Sequence, residues 1–281
     1  MTVPSITLNN GVRIPQVGLG VFQVPDAGAQ TTVEQALERG YRHVDTAAGY
    51  DNEDGVGAAL RASGIPRDEL FVTTKLRNGD QGYESALRAF EDSRRALGLD
   101  VVDLYLIHWP VPSKDLYVET WRAFEKLLAD GAVRAVGVSN FLPEHLDRLV
   151  SASDVVPAVN QIEVHPTFQQ LDVQAACRKL GIAVEAYSPL GRGADLEAPA
   201  VESIASTLGV TAAQVVLRWH VQQGAIVIPK SVSAERQATN IDVFSFELDE
   251  EQMAVVSGLD AGAAGRTGAD PASADFTQFR A

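Results

Sequence analysis

The chain has 281 residues, 46% of them hydrophobic, and its 23 Lys and Arg against 37 Asp and Glu give a formal charge of −14. That is enough apolar material for a large core, and the acidity argues against a nucleic-acid backbone or an anionic membrane as partner, so any anionic ligand needs a local basic cluster. Cys177 is the only cysteine, no stretch approaches the roughly 18 apolar residues of a membrane span, and the first ten residues do not read as a signal peptide, so a cytoplasmic protein without disulfides is expected.

Ser5 to Leu8 and Val12 to Ile14 flank Asn9-Asn10-Gly11, a strong hairpin signal, and this hairpin is expected to close the bottom of the fold. Beyond it one rhythm repeats: a short apolar run, a polar turn, then a helical pattern with apolar residues three and four apart. The apolar runs are Val17 to Leu19, His43 to Asp45, Phe71 to Lys75, Leu104 to His108, Ala135 to Ser139, Val159 to Gln161, Ala183 to Tyr187 and Ile226 to Ile228. Helices are predicted at Ala27 to Arg39, Asn52 to Ser63, Gln81 to Leu97, Val118 to Asp130, Pro143 to Ser151, Gln170 to Leu180, Ala212 to Gln222 and Ala234 to Ile241. Gly40, Gly64, Gly98, Gly131 and Gly181 stand after five of them as C-terminal stops. Cys177 shares a helical face with Val173, Ala176 and Leu180, which makes it a packing residue.

Strands alternating with helices imply parallel pairing, because each return needs a crossover, and eight such units close into a (β/α)8 TIM barrel. A doubly wound dinucleotide fold would want Gly-x-Gly-x-x-Gly between an early strand and helix; here Gly18-Leu19-Gly20 is followed by Val21-Phe22-Gln23. Two further helices, Val201 to Leu208 and Asp249 to Ser257, fall outside the repeat, and residues 262 to 281 read as an irregular tail over one barrel end. No linker divides the chain, so residues 1 to 281 are expected to form a single domain.

Barrel enzymes place their chemistry at the C-terminal ends of the strands. The predicted strands end in Asp45, Lys75, His108, Ser139, Gln161 and Tyr187, with Lys230 two residues past the eighth. Tyr50 follows Asp45 on a turn that leads to Asn52, read as the cap of the next helix. A free tyrosine titrates at about 10; a nearby ammonium lowers that value, and an aspartate keeps the ammonium charged and fixed. Tyr50 is therefore the expected proton donor, tuned by Lys75 and Asp45, with His108 orienting a carbonyl oxygen. The alternative makes Asp45 a helix cap, Tyr50 loop packing, Lys75 a solvated charge and His108 a structural histidine; the run of polar strand ends weighs against it. There is no His-Glu-x-x-His pair and the other histidines lie singly on separate elements, so no metal is expected.

At this point a resemblance is plain. Asp45-Thr46-Ala47 with Tyr50 and Asn52-Glu53, Thr73-Thr74-Lys75-Leu76, Leu104 to Pro110, Val136 to Phe141, Asn160 to Pro166, Tyr187-Ser188-Pro189-Leu190-Gly191 and Ile228-Pro229-Lys230-Ser231 are similar, in order, to the motifs of the aldo-keto reductases. Within that family the bacterial branch of 2,5-diketo-D-gluconate reductases looks nearest. The resemblance implies a monomeric enzyme that uses NADPH, without metal or flavin, to reduce aldehyde or ketone carbonyls such as sugar keto acids and α-dicarbonyls to alcohols. It implies that Tyr50 gives the proton, that Asp45, Lys75 and His108 support it, and that Ser139, Asn140 and Gln161 hold the nicotinamide carboxamide. Tyr187 would stack on the nicotinamide ring, with Ser188, Leu190 and Gly191 alongside the cofactor.

Lys230, Ser231 and Arg236 lie on a loop opening a helix and suit a 2′-phosphate by charge and by N-terminal N–H groups, unless they are ordinary surface charges. Asn240 falls where the family contacts adenine, but Thr239 precedes it where the family has an acid, which bears on how tightly adenosine is held. Phe22 and Trp109, with Val21, are expected to wall the substrate pocket. Arg77 replaces the tryptophan common in this branch; it is read either as a cation at the pocket mouth that binds anionic carbonyls, or as a surface arginine paired with Asp80. Two rivals remain: a regulatory protein that binds NADPH with little turnover, and a barrel hydrolase using Asp45 and Glu53 as paired carboxylates.

Overall fold

The computed structural model describes residues 3–277. A hairpin of β1 (Ser5–Thr7) and β2 (Arg13–Pro15) precedes β3 (Leu19–Gly20), α1 (Asp26–Glu38), β4 (His43–Asp45), α2 (Glu53–Ala62), β5 (Phe71–Leu76) and α3 (Tyr83–Leu97). There follow β6 (Val102–Ile107), α4 (Tyr117–Ala129), β7 (Val133–Ser139), α5 (Pro143–Ser151), β8 (Val159–Glu163), α6 (Leu171–Leu180) and β9 (Ala183–Tyr187). The remaining helices and strand are α7 (Pro199–Leu208), α8 (Ala212–Gln222), β10 (Ile226–Val227), α9 (Ala234–Ile241) and α10 (Glu250–Ser257).

Strands β3 to β10 form one parallel eight-stranded sheet in sequential order. Its first and last strands meet through the bridges Val17 to Val227 and Gly20 to Lys230, with Gly18 N donating to Val227 O at 2.8 Å. This closes the (β/α)8 barrel. The seam requires a glycine: a Cβ on Gly20 would stand 2.7 Å from the carbonyl oxygen of Ile228. Two helices, α7 and α10, are additions that pack with α8 around the buried Trp219, where the sequence pattern put them.

Each strand sends alternate side chains inward and outward. The lower interior is apolar, with Phe71, Leu104, Leu106, Ala135, Val159 and Ile226 packed against Leu8 and Ile14 of the hairpin. Asn9 Nδ2 donates to Pro157 O at 2.9 Å and Asn10 Nδ2 to Arg134 O at 3.0 Å. The hairpin is thus tied across the bottom of the barrel, as its turn chemistry suggested. Outward side chains such as Val72 and Tyr105 join Phe90 and Phe124 in the layer between sheet and helices. Cys177 is fully buried there, and burial pushes its thiol up to about 11. The upper interior is polar, and the polar strand ends converge on it.

Candidate active site

The turn after β4 is built so that Tyr50 faces inward. Asn52, expected as a helix cap, makes no cap bond; its amide donates to Val21 O at 3.0 Å and Val24 O at 2.8 Å, and its oxygen accepts from Thr46 Oγ1 at 2.7 Å. These bonds stitch the turn to the β3 loop, which a cap bond would leave free. Residues Ala48–Tyr50 form one turn of 3-10 helix, and Asp51 beyond it is left-handed with φ 53°. Tyr50 then packs its ring 5.1 Å from Phe22 and 5.6 Å from His108.

Lys75, at the top of β5 and fully buried, donates from Nζ to Asp45 Oδ1 at 2.6 Å, to Thr46 O at 2.9 Å and to the Tyr50 hydroxyl at 3.3 Å. Burial works against its charge, but Asp45 and Tyr50 more than compensate and the net direction is upward. Tyr50 is also shifted upward: burial outweighs the pull of Lys75, so the expected depression of the free side chain is not what results. The phenol therefore keeps its proton at neutral pH while resting against the ammonium that would stabilise its loss. Burial, then the charge of Lys75, pushes His108 well below the ordinary histidine range, so its ring is neutral and can donate one N–H.

Tyr50, His108 and Asp45 wall a cavity of about 320 Å³ together with Phe22, Trp109, Ser139, Asn140, Gln161 and Tyr187. A chain of bonds fixes its far side. The Tyr187 hydroxyl donates to Asn140 Oδ1 at 2.8 Å, Asn140 Nδ2 donates to His108 O at 3.0 Å, and Ser139 Oγ donates to Gln161 O at 2.8 Å. The cavity shares Phe22, Ser188 and Lys230 with a second cleft of about 640 Å³, which also contains Leu190, Ser231, Arg236, Thr239 and Asn240. Gly191 sits beside it with φ 55°. Ser233 caps α9 by accepting from Arg236 N at 3.3 Å, and Arg236, Thr239 and Asn240 of that helix line the cleft. Arg192, Lys230 and Arg236 all line this cleft, and among the described residues no carboxylate pairs with any of them. Three unpaired cations along one groove of an acidic protein fit a ligand carrying several phosphates.

The placement of Arg77 also needs correcting, and one rival is excluded. Arg77 does not stand at the mouth of the cavity: its guanidinium donates to Ala48 O at 2.9 Å from Nε, pairs with Asp51, and lines a different cavity between α2 and α3. Its partner is Asp51, brought close by the left-handed turn, and not Asp80. Arg77→Trp should therefore leave unchanged the ratio of kcat/KM for a keto acid to that for its neutral ester; a drop in that ratio would return Arg77 to substrate choice. The paired-carboxylate rival fails on topology. Asp45 points inward to Lys75, whereas Glu53 meets Thr74 Oγ1 at 2.5 Å, and Thr74 lies on the outward face of β5.

Other site residues escaped the sequence reading. Arg192 and Gln23 lie where the two cavities join, and Gly268 and Ala269 of the tail line the smaller one. Glu185 lies fully buried in the middle of β9, and the two-residue alternation with Tyr187 was a signal that could have found it. The tail, as far as residue 277, covers the upper barrel end, its last four residues lying outside the described ones: Phe276 packs edge-on to Trp109 at 5.1 Å, and its carbonyl accepts from Asn78 Nδ2 at 2.9 Å.

A buried ionic cluster holds that tail. His165 Nδ1 is 2.7 Å from Asp195 on the loop after β9, His165 Nε2 is 3.4 Å from Glu163, and Glu163 accepts from Thr267 N at 2.9 Å and Gly268 N at 3.0 Å. Burial pulls His165 down, but the two carboxylates outweigh it and raise it to about 9. Burial pushes Glu163 up, yet its hydrogen bonds from His165, Thr267 and Gly268 hold it at about 2. A histidine raised on folding stabilises fully below its unfolded value of about 6.5 and loses that contribution as pH rises through about 9. Glu163 contributes above its ordinary range and loses this as pH falls toward about 2. His165→Asn should accordingly lower Tm at pH 6 by at least about 2–4 °C, the shift for each 1 kcal/mol in a chain near this size, and by clearly less at pH 9.5. Equal losses at the two pH values would show that the cluster acts by packing alone.

The aldo/keto reductase family profile matches residues 16–261. An aldo-keto reductase of Mycobacterium sp. (strain KMS) is 52% identical over 277 residues, 99% of this chain and all of that protein. The glyoxal reductase of Bacillus subtilis is 47% identical over 91% of this chain and 92% of its own length. Among solved structures, a Gox0644 mutant in complex with NADPH superposes with a TM-score of 0.94 at 47% identity, covering 98% of this chain and 100% of that one. Barrel, site geometry and these matches agree, and the chain belongs to the aldo/keto reductase family.

Proposed function

We propose that this protein is an NADPH-dependent reductase of small aldehydes and ketones in which Tyr50 is the proton donor. The observation that carries the reading is the Tyr50 hydroxyl, 3.3 Å from a Lys75 ammonium that is itself 2.6 Å from Asp45, at the wall of a cavity continuous with a cationic cleft. NADPH supplies a hydride to the carbonyl carbon when bound. The fit of the cofactor rests on this chain's own groups: Lys230, Arg236, Ser231 and the start of α9 for the 2′-phosphate, and Asn240 for adenine. Arg192 with Ser188, Leu190 and Gly191 would flank the stretch between, while Ser139, Asn140 and Gln161 would meet the carboxamide and Tyr187 would back the ring.

Neutral His108 donates its N–H to the carbonyl oxygen and aligns it with Tyr50. As negative charge develops on that oxygen, Tyr50 passes its proton to it, and the phenolate left behind is stabilised by Lys75, which Asp45 keeps charged and in place. Solvent then returns a proton to Tyr50. Phe22 and Trp109 shelter the reacting carbonyl from water. All these residues come from one chain, so the proposed chemistry needs no residue from a second copy.

A cavity of about 320 Å³ that also takes the nicotinamide leaves room for only a small carbonyl compound. The glyoxal reductase relative and the resemblance to 2,5-diketo-D-gluconate reductases favour α-dicarbonyls and sugar keto acids. Following NADPH absorbance with glyoxal, methylglyoxal and a keto-sugar acid tests the reading. Binding of NADPH with no consumption on any carbonyl would overturn it in favour of a regulatory role.

A further inference from the structure

Glu185 points into the barrel two residues before Tyr187 and is completely buried. Its Oε2 accepts from Gln161 Nε2 at 2.8 Å, and the same nitrogen donates to Asp45 Oδ2 at 2.8 Å. An amide nitrogen carries two hydrogens, so these two carboxyl groups use both. The carbonyl oxygen of Gln161 is then the end left for a ligand in the cavity that Gln161 lines. The other oxygen of Glu185 has no hydrogen bond and stands 3.6 Å from His43 Nε2.

The ionisable groups around it are His43 and Asp45 on β4, Tyr50 on the following turn and Lys75 on β5. Burial lowers His43 to about 3, so that ring is neutral. One ammonium therefore faces two carboxyl groups in a dry interior, where a second unpaired negative charge is costly. Asp45 touches the ammonium and Glu185 does not, so the proton resides on Glu185. Burial raises both carboxyl groups; contact with Lys75 opposes the rise at Asp45, while burial, then the charge of Asp45, pushes Glu185 up to about 8.

We infer that Glu185 is a positioning residue of this site: it fixes which end of Gln161 meets the nicotinamide, and its ionisation, next to Asp45 across the shared Gln161 amide, raises the pH at which Tyr50 ceases to donate. The inference rests on the roles proposed above for Tyr50 and Gln161. Once ionised, Glu185 adds negative charge next to Asp45, across the shared Gln161 amide, and makes Lys75 and Tyr50 hold their protons more tightly. The native protein thus keeps a protonated Tyr50 to higher pH than a protein whose residue 185 cannot ionise.

The full-length protein with Glu185→Leu or Glu185→Gln provides the test. Binding of NADPH is compared with binding of 2′,5′-ADP, which shares the adenosine phosphates and lacks the nicotinamide. The leucine variant should lose about threefold to tenfold in NADPH affinity, the size of one net hydrogen bond, with 2′,5′-ADP unchanged, and the glutamine variant, which keeps an acceptor, should restore NADPH. Equal losses for both ligands, or no loss for either, overturn the positioning role. In Glu185→Gln the alkaline limb of kcat should move to lower pH than in the native protein; superposed profiles overturn the ionisation role. Infrared difference spectra should show a buried protonated carboxyl at neutral pH that disappears in Glu185→Gln and persists in Tyr50→Phe, and its absence from the native protein overturns the assignment of the proton. Because the binding and infrared results do not depend on turnover, an active Tyr50→Phe would sink the proton-donor reading and leave them standing.

Discussion

Tyr50→Phe is expected to reduce kcat for carbonyl reduction by about 10²–10⁴-fold, the span usually supplied by a positioned general acid, while the affinity for NADPH stays within about twofold. The asymmetry follows from geometry. The substitution removes the hydroxyl that stands 3.3 Å from Lys75 Nζ, yet keeps the ring that packs against Phe22 and His108, so the cavity wall survives. Burial and the contact with Lys75 together leave a phenol that is protonated when free and stabilised when ionised. Retention of more than about a tenth of native kcat would rule out Tyr50 as the donor. Stopped-flow measurement of a single turnover is the sharper check, because it separates the chemical step from cofactor release.

The second large effect is expected in the cationic cleft that adjoins this cavity. Replacing Lys230 and Arg236 together by alanine should weaken NADPH by roughly 10²-fold, the lower end of what two charge-assisted hydrogen bonds supply when both groups are solvent-accessible. NADH, which has no 2′-phosphate, should change by no more than about twofold. Neither side chain has a carboxylate partner among the described residues, so their removal leaves no stranded charge and the fold should be unaffected. Thr239 lines the same cleft and its hydroxyl donates to Arg236 O at 3.1 Å, so a turn of α9 already engages it. Equal losses for NADPH and NADH would show that the loop shapes the cleft without reading the phosphate.

What could be read from sequence here was whatever depends on local periodicity. Each helical stretch shows apolar residues three and four apart and each strand a short apolar run, so the count of units and hence the barrel follow from spacing that neighbours in the chain enforce on one another. The polar groups at the upper ends of the strands were legible for the same reason, since a parallel barrel brings every strand top to one rim: Asp45, Ser139 and Tyr187 end their strands, Lys75 and Gln161 lie one and two residues short of the end, and His108 follows one. The additions α7 and α10 and the hairpin closing the bottom were legible as departures from the rhythm.

Partner choice was a different matter, because it is decided by atoms distant in sequence. Arg77 and Asp51 are 26 residues apart, and only the left-handed turn at Asp51 brings them together, which takes the arginine away from the cavity mouth. Asn52 carries the residue type of a cap, yet it is spent on carbonyls of the β3 loop 28 and 31 residues earlier. The net direction at Tyr50 turned on how completely the barrel buries it, a quantity with no local signature. Glu185 and Asp45 share one amide nitrogen of Gln161, and His165 links Glu163 with Asp195, only because the curvature of the closed sheet points side chains from separate strands at one axis. The amino-acid sequence by itself determined the barrel and the identity of the groups on its upper rim; the tertiary structure decided which of them touch, because closing the ring sets distances that no repeat along the chain encodes.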